Sequence, residues 1–402
     1  MNRVAILNPC TVRSTGKIAV GLHKYLVSKG YDSEFCYGRP DIERDDSYHL
    51  IDTKYEVYLH ALFSKITGYQ GGGSFLATKR LIRHLKNRKV DTVFIISLHT
   101  YYINEFLLYK YLIAENIKVV YVMIDEYAYL GRCPYNQNCG RLEKGCGNCP
   151  HRKEFGLFDS THRIFQNKWD AYSELTEKGN IIFVGPEFVT IEASKSPLMK
   201  GAKMHIVDEA IDTTFYTPRD CKKLREELGI AEDQIVLTHI APMNQPAKGS
   251  KYFIETARHF ENNSKFKFVH VGYNIEDKSN LPSNYIPIGY VKDQNKLAEF
   301  YSLGDLFIFP SVSDTMSNAC LEALSAGTPL LCFNISGMPF LGDSSVLTLV
   351  EPYSTKELID VVARSKKKTD ETVATCRNYA LSRYDNQKYF EKLVAVTNEF
   401  KY

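Results

Sequence analysis

Two carboxylates, Asp314 and Glu322, flank the start of a short helical pattern in the stretch Pro310 to Pro329. Asp305 to Pro310 is an apolar run of strand length closed by a proline, and Ser317 to Ala326 follows with helical spacing before Gly327. A strand, a polar loop and a helix should result. The first N–H groups of a helix lack intrahelical partners and sit at the positive end of its dipole. Thr315, Met316, Ser317 and Asn318 would therefore present an anion site for a diphosphate. Glu322 would reach ribose hydroxyls, and Asp314 would face a sugar. The alternative is that Asp314 or Ser313 only caps the helix and Glu322 is a solvated helical residue.

A second candidate is the loop Asn8 to Lys17, between a strand Val4 to Leu7 and a helix Lys17 to Lys29. Doubly wound folds bind ligands at such turns. Gly16 would let backbone approach a phosphate or sugar, and Ser14 and Thr15 would cap the helix. A capped turn without a ligand is the competing reading. The Gly-rich run Ile66 to Ser74 reads as a mobile loop, lining an acceptor or merely connecting.

Four of the ten cysteines, Cys133, Cys139, Cys146 and Cys149, fall within residues 131–150. Such density in a chain read as cytosolic favours a metal over disulfides. Four thiolates would form a closed, structural zinc site stapling a loop too polar to fold alone, with His151 as a substitute ligand. Two disulfides or free thiols are the alternatives.

At 402 residues the chain suits two domains, and 44% hydrophobic with 24% charged residues is the composition of a globular protein. A formal charge of +3 gives no reason to expect nucleic acid. No apolar run approaches the ~20 residues that span a bilayer, and Met1 to Leu7 leads directly into a strand. A cytoplasmic location is expected, with peripheral contact at the inner membrane face if the acceptor is lipid-linked. No stretch separates basic and apolar faces clearly enough to name an anchor. Strand-like runs alternate with helical patterns at Ser33 to Tyr37, Thr92 to Ser97, Lys118 to Met123 and Ile181 to Val184. They recur at Ile235 to Ile240, Phe266 to Val271, Leu306 to Phe309 and Leu330 to Phe333. This is an α/β pattern of parallel sheets covered by helices.

Asp314 to Glu322 resembles the E-x7-E region of retaining GT-B glycosyltransferases of the group 1, or family 4, type. Other matches come in the same order. Val207 to Pro218 resembles the segment that opens the second domain, and Lys248-Gly249 resembles a phosphate-binding pair. Val269 to Gly272, Ile288 to Val291 and Leu297 to Tyr301 resemble the strands and loop around the base. Tyr121 to Cys133 is similar to the "WTLHDCWAFTGHC" segment of colanic-acid and capsule enzymes, with Asp125 keeping its acid and Ile124 standing where those enzymes have histidine. An arginine usual just before the lysine is missing at Pro242 to Ala247. His99 matches a strand-end histidine of the same enzymes.

The resemblance implies two Rossmann-like domains facing across a cleft: residues 1–203 on the acceptor side, 204–385 binding the nucleotide sugar, and a C-terminal helix, 386–402, returning to the first. It implies retaining transfer from a UDP, GDP or dTDP sugar to a glycan or polyprenyl-linked acceptor, in bacterial capsule, O-antigen or related surface polysaccharide synthesis, with no metal required for catalysis. Asp314, Glu322, Lys248 and Asp125 would be catalytic. Thr15, Gly16, Lys248, Gly249, Gly272, Tyr290, Val291, residues 315–318 and Glu322 would hold the donor. His99 and Asp125 would lie on the acceptor side. A GT-B epimerase and a non-catalytic nucleotide-sugar-binding subunit are the other readings, and neither the donor nor the oligomeric state is legible.

Overall fold

The structure, a computed structural model, describes residues 3–400 except 41, 43, 137, 138 and 275–279. Gln137 and Asn138 of the cysteine loop, and Lys401 at the end of the expected last helix, lie outside the described residues. Contacts divide the chain into two units, Met1–Asp208 with Tyr389–Tyr402, and Glu209–Lys388.

The first unit is built on seven parallel strands: β1 (Arg3–Asn8), β2 (Asp32–Tyr37), β3 (His49–Leu50), β4 (Thr92–Ile95), β5 (Lys118–Val122), β6 (Ile181–Gly185) and β7 (Lys203–Ile206). Their order is β3-β2-β1-β4-β5-β6-β7. Strands β4, β5 and β6 are buried along their whole length, as continuous apolar runs should be in a sheet covered on both faces. Among the described residues, four helices precede the cysteine loop: α1 (Arg13–Ser28), α2 (Lys54–Thr67), α3 (Phe75–Arg88) and α4 (Glu105–Ala114).

The second unit has six parallel strands: β8 (Ile235–Ile240), β9 (Phe266–Val271), β10 (Tyr285–Ile288), β11 (Leu306–Phe309), β12 (Leu330–Phe333) and β13 (Leu347–Val350). Their order is β10-β9-β8-β11-β12-β13. Both sheets thus carry the two halves of a doubly wound fold, with the direction of winding reversing beside β1 in one and β8 in the other.

Two expectations need correction. Helix α1 begins at Arg13, with Val12 at its N-cap and no side-chain cap, so Ser14, Thr15 and Gly16 lie inside its first turn. The Thr15 hydroxyl is engaged by Asn8 Nδ2 at 3.3 Å. The run Ile66 to Ser74 is not a loose loop. Its first two residues finish α2, Glu105 N–H donates to Gly71 O at 3.0 Å, and Asn104 Nδ2 donates to Gly72 O at 2.7 Å. Gly71 is packed against the buried Glu105 carboxyl, and Gly73 against the His60 ring.

The C-terminal helix Asn386–Ala395 sets Phe390 against Gly21 and Tyr25 of α1, where a Cβ on Gly21 would lie 2.5 Å from the ring. Phe390 is 4% exposed. Phe390→Ala should therefore cost the first unit about 3 kcal/mol, read as a lower midpoint in denaturant titration. An unchanged midpoint would show that this segment adds nothing to the unit.

Candidate functional site

In the second unit, the loops after β8 and β11 leave the sheet on either side of the point where its winding reverses. Val312 N–H and Ser311 Oγ both donate to Ala247 O, at 2.8 and 3.0 Å, and so stitch the two loops together. Lys248 and Asp314 are thereby brought into contact, with Lys248 Nζ 2.5 Å from Asp314 Oδ2 and both side chains largely covered. Gly249 adopts φ +81°, and a Cβ there would fall 1.9 Å from Pro310 O. Only glycine satisfies both constraints. From Gly249 the helix Ser250–His259 departs, and its first residue is anchored by His239, whose Nε2 lies 3.0 Å from Ser250 Oγ and Nδ1 2.9 Å from Ile308 O. Burial, with the adjacent His270, holds His239 far below the usual imidazole range, so the ring is a neutral strut.

The helix Asn318–Ser325 has Ser317 at its N-cap, so Asp314 does not cap it and stays available to Lys248. Asn318 Oδ1 is buried without a hydrogen-bond partner. Glu322 is half-buried rather than solvated. Burial first, then the Glu322 carboxylate hydrogen-bonded to them, pushes the Tyr216 and Tyr301 phenols up. Both phenols thus lie beside its carboxylate, and the Tyr216 hydroxyl also donates to Gln294 Oε1 at 3.3 Å. Gly272 packs against Ala241 O at the end of β9, while Tyr290 is largely exposed and Val291 partly so beyond β10.

In the first unit, the corresponding reversal lies between β1 and β4, and polar groups collect there. Asn8 Oδ1, Thr11 Oγ1, Ser97 Oγ and Thr100 Oγ1 are buried without hydrogen-bond partners. Unsatisfied buried polar atoms are costly and need a reason, and a ligand is one. Thr100 and Tyr101 also adopt positive φ, 84° and 70°, which is strained for side chains of these types. His99 Nε2 lies 2.8 Å from Asp125 Oδ2, and Tyr127 N–H donates to Asp125 Oδ1 at 2.9 Å. The two acceptor-side residues named from sequence are therefore neighbours. The backbone strain at Thr100 and Tyr101 has no sequence signal. Gly16 has a packing role: a Cβ there would meet Thr11 backbone at 2.5 Å.

The segment after Asp125 rests on a buried charge. Lys168 Nζ donates to Tyr127 O at 2.7 Å and Leu130 O at 3.1 Å, and Tyr127 OH donates to Glu105 Oε1 at 2.8 Å. Beyond it, Cys133, Cys139, Cys146 and Cys149 line one pocket with Arg141 and His151. None of the ten cysteines is in a disulfide. Gly131 N–H donates to Cys146 Sγ at 3.1 Å. Among the described residues, three ligand atoms mutually within 4.8 Å occur at Glu34, His49 and His84 and not at these thiols, so the sulfurs are wider apart than in a closed tetrahedron. Arg88 already occupies the Glu34 carboxylate at 2.9 Å, which disfavours a cation at the histidine cluster.

Residues 234–366 match the family described as group 1 glycosyl transferases. That stretch is a group 1 glycosyltransferase domain, and the whole chain takes the GT-B fold. An Escherichia coli UDP-Gal:α-D-GlcNAc-diphosphoundecaprenol α-1,3-galactosyltransferase is 28% identical over 149 residues, 34% of this chain and 38% of that protein. The putative colanic acid glycosyl transferase WcaC of Escherichia coli K12 is 21% identical over 376 residues, 83% of this chain and 85% of that protein. WcaC apart, the chain spans about a third to two-fifths of the length of the curated relatives it matches. Among solved structures, Anabaena Alr3699/HepE in complex with UDP and glucose has a TM-score of 0.65 at 12% identity, over 99% of this chain and all of the other.

Glu126, next to Asp125, is buried, and desolvation raises its carboxyl to about 7. In the unfolded chain it ionises near its ordinary value, so the folded form binds the extra proton between about 4.5 and 7 and loses stability as pH rises through that window. Glu126→Gln should remove this loss. Its melting temperature should match the wild type at pH 5 and exceed it at pH 8, by an effect of about 3 kcal/mol at most. Parallel melting curves at the two pH values would contradict the assignment.

Proposed function

We propose that the chain is a retaining glycosyltransferase that moves a sugar from a nucleoside diphosphate sugar to a hydroxyl of a glycan or lipid-linked glycan in bacterial surface polysaccharide synthesis. The observation that carries this reading is the Lys248–Asp314 pair, held at the winding reversal of a group 1 glycosyltransferase domain. Relatives named for colanic acid, teichuronic acid and undecaprenol-linked substrates support the acceptor class. A UDP complex among the structural neighbours is consistent with a UDP donor, with GDP and dTDP sugars as the alternatives.

In this reaction the bond from the anomeric carbon to the diphosphate breaks with its electron pair staying on the phosphate oxygen. The acceptor oxygen bonds the same face of that carbon, and its proton passes to the departing diphosphate. Charge develops on the leaving group, so a fixed cation and unpaired N–H groups lower the barrier without a metal. Lys248 supplies the cation, and Gly249, Thr315, Met316, Ser317 and Asn318 supply backbone. Asp314 holds Lys248 in place until the donor arrives and then orients sugar hydroxyls. Glu322, beside Tyr216 and Tyr301, receives the ribose, and Gly272, Tyr290 and Val291 border the base. On the acceptor side His99 and Asp125 act as one unit near Thr15 and Gly16. Working on a lipid-linked acceptor would bring the chain to the inner face of the cell membrane. Among the described residues no helix is long and apolar enough to cross one.

Nucleotide release from a panel of UDP, GDP and dTDP sugars, with and without a lipid-linked glycan fraction, tests the reading. Release from one donor that rises with the glycan is expected. Glu322→Ala should lower kcat/KM roughly tenfold or more, and Lys248→Met should lower kcat at least as much. Binding without release from any donor would favour a non-catalytic subunit, and donor consumption without acceptor an epimerase.

The cysteine pocket is proposed as a structural zinc site, on its four thiols and on the lack of helix or strand among the described residues between Gly131 and Pro150. The loop would have to draw the sulfurs inward around the ion. Purified protein should carry one zinc by elemental analysis, and Cys146→Ser should lose it together with several degrees of melting temperature. Metal-free protein of unchanged stability would exclude the site.

A further inference from the structure

Helix α2 is packed with its faces reversed. Its buried positions are Val57, His60 and Ser64, whereas Tyr55, Tyr58, Leu59, Leu62, Phe63 and Ile66 are exposed. The outward positions follow i, i+3, i+4, i+7, i+8 and i+11, a single stripe down the helix, and a helix that served only its own core would turn that stripe inward. Leu59 is 60% exposed, and Tyr55 reaches 81%.

The stripe is extended on two sides. His60 Nδ1 lies 2.9 Å from Ser74 Oγ, and Gly73 N–H donates to His60 Nε2 at 3.1 Å, which sets the start of α3 with exposed Phe75 and Leu76 beside α2. At the other end Leu157 N–H donates to Lys65 O at 3.1 Å and brings exposed Leu157 and Phe158 against the last turn. An apolar surface this continuous is uncommon on a protein meant to face only water.

Its border is basic. Lys54, Lys65, Lys79, Arg152 and Lys153 are exposed around it. The Glu56 carboxylate is taken by Arg80 at 2.6 Å, and Glu154 is engaged by His151 at 3.1 Å.

We propose that the face formed by α2, the start of α3 and residues 157–158 is a docking surface for an anionic lipid bilayer, lying in the plane of the interface without crossing it. The charge decides between occupants. A second copy would set one basic border against another, whereas anionic headgroups complement it while the stripe enters the acyl boundary. Tyr55 and Tyr58 have the apolar body and polar tip that suit headgroup depth. At 1.5 Å per residue the 14-residue helix offers a contact about 21 Å long. The inference rests on the proposed lipid-linked acceptor for its purpose, though not for its geometry.

Co-sedimentation of the full chain with phosphatidylglycerol/phosphatidylethanolamine vesicles tests it, with phosphatidylcholine vesicles as the neutral control. The wild type should pellet with anionic vesicles, less so at high salt and only weakly with neutral ones. The double variant Leu59→Glu/Phe63→Glu changes two exposed positions, so its circular dichroism melt should stay that of the wild type while vesicle affinity falls at least tenfold. Equal pelleting of variant and wild type would overturn the proposal. So would a wild type that stays in the supernatant, or one that light scattering shows to be a dimer which the double variant dissolves. Nucleotide release with a short water-soluble acceptor separates the two claims: release without vesicle binding sinks the surface, and vesicle binding without release leaves the surface and sinks the reaction.

Discussion

Parallel strands cannot be joined by hairpins, and that constraint shapes everything else in this chain. Each strand must be followed by a crossover, every crossover leaves the sheet at a carboxyl end, and where the winding reverses two crossovers part and open a crevice. In the second unit the parting lies between β8 and β11, and in the first between β1 and β4. The candidate residues come from loops that follow these strands and their immediate neighbours in each sheet. Lys248 and Asp314 are 66 positions apart in the chain, yet they touch because their strands are adjacent. His99 and Asp125 meet for the same reason, following β4 and β5.

Around these crevices the polar groups divide into two kinds. Some are fully engaged and do nothing but hold position: neutral His239 ties β8 to β11 and to the helix that follows Gly249, and Lys168 pins the backbone after Asp125. Others are buried and left without partners, and although such atoms also occur elsewhere, as at Ser64, Arg132, Arg225 and Asn284, five of them, at Asn8, Thr11, Ser97, Thr100 and Asn318, gather at the strand-end crevices. A folded chain tolerates such costs, with the strained backbone of Thr100 and Tyr101, where something other than stability benefits.

How much of this was legible in the sequence depends on the range of the signal. The central strands of both sheets follow from short apolar runs, and the loop, helix and glycine around Asp314 and Glu322 from local spacing. Four strands were not read from such runs: β3 has two residues, β7 is Lys-Met-His-Ile with none of them buried, β10 is interrupted by Pro287, and β13 has two exposed residues at its centre. The helix start at Arg13 was hidden because no capping side chain marks it. The Gly-rich run before α3 looked loose because its anchors, His60, Asn104 and Glu105, are distant or polar, and composition does not reveal a partner. The surroundings of Glu322 include Tyr216 and Tyr301, neither of which has a local pattern linking it to the helix.

Helix α2 shows the deeper limit of periodicity. Its apolar stripe is regular, and a regular stripe announces a buried face without saying what buries it. Within the first unit the sheet already has its cover, and α2 meets its own neighbours through one valine, one histidine and one serine. The small and polar side of the helix faces protein because His60 is needed there, bonded to Ser74 and to Gly73, where it holds the Gly-rich turn that leads into α3. With that side committed, the aromatic and leucine side is left pointing away from the core. The sequence thus satisfies two demands with one helix, a polar anchor inward and an apolar face outward, and the outward face calls for a neighbour that is not part of this fold.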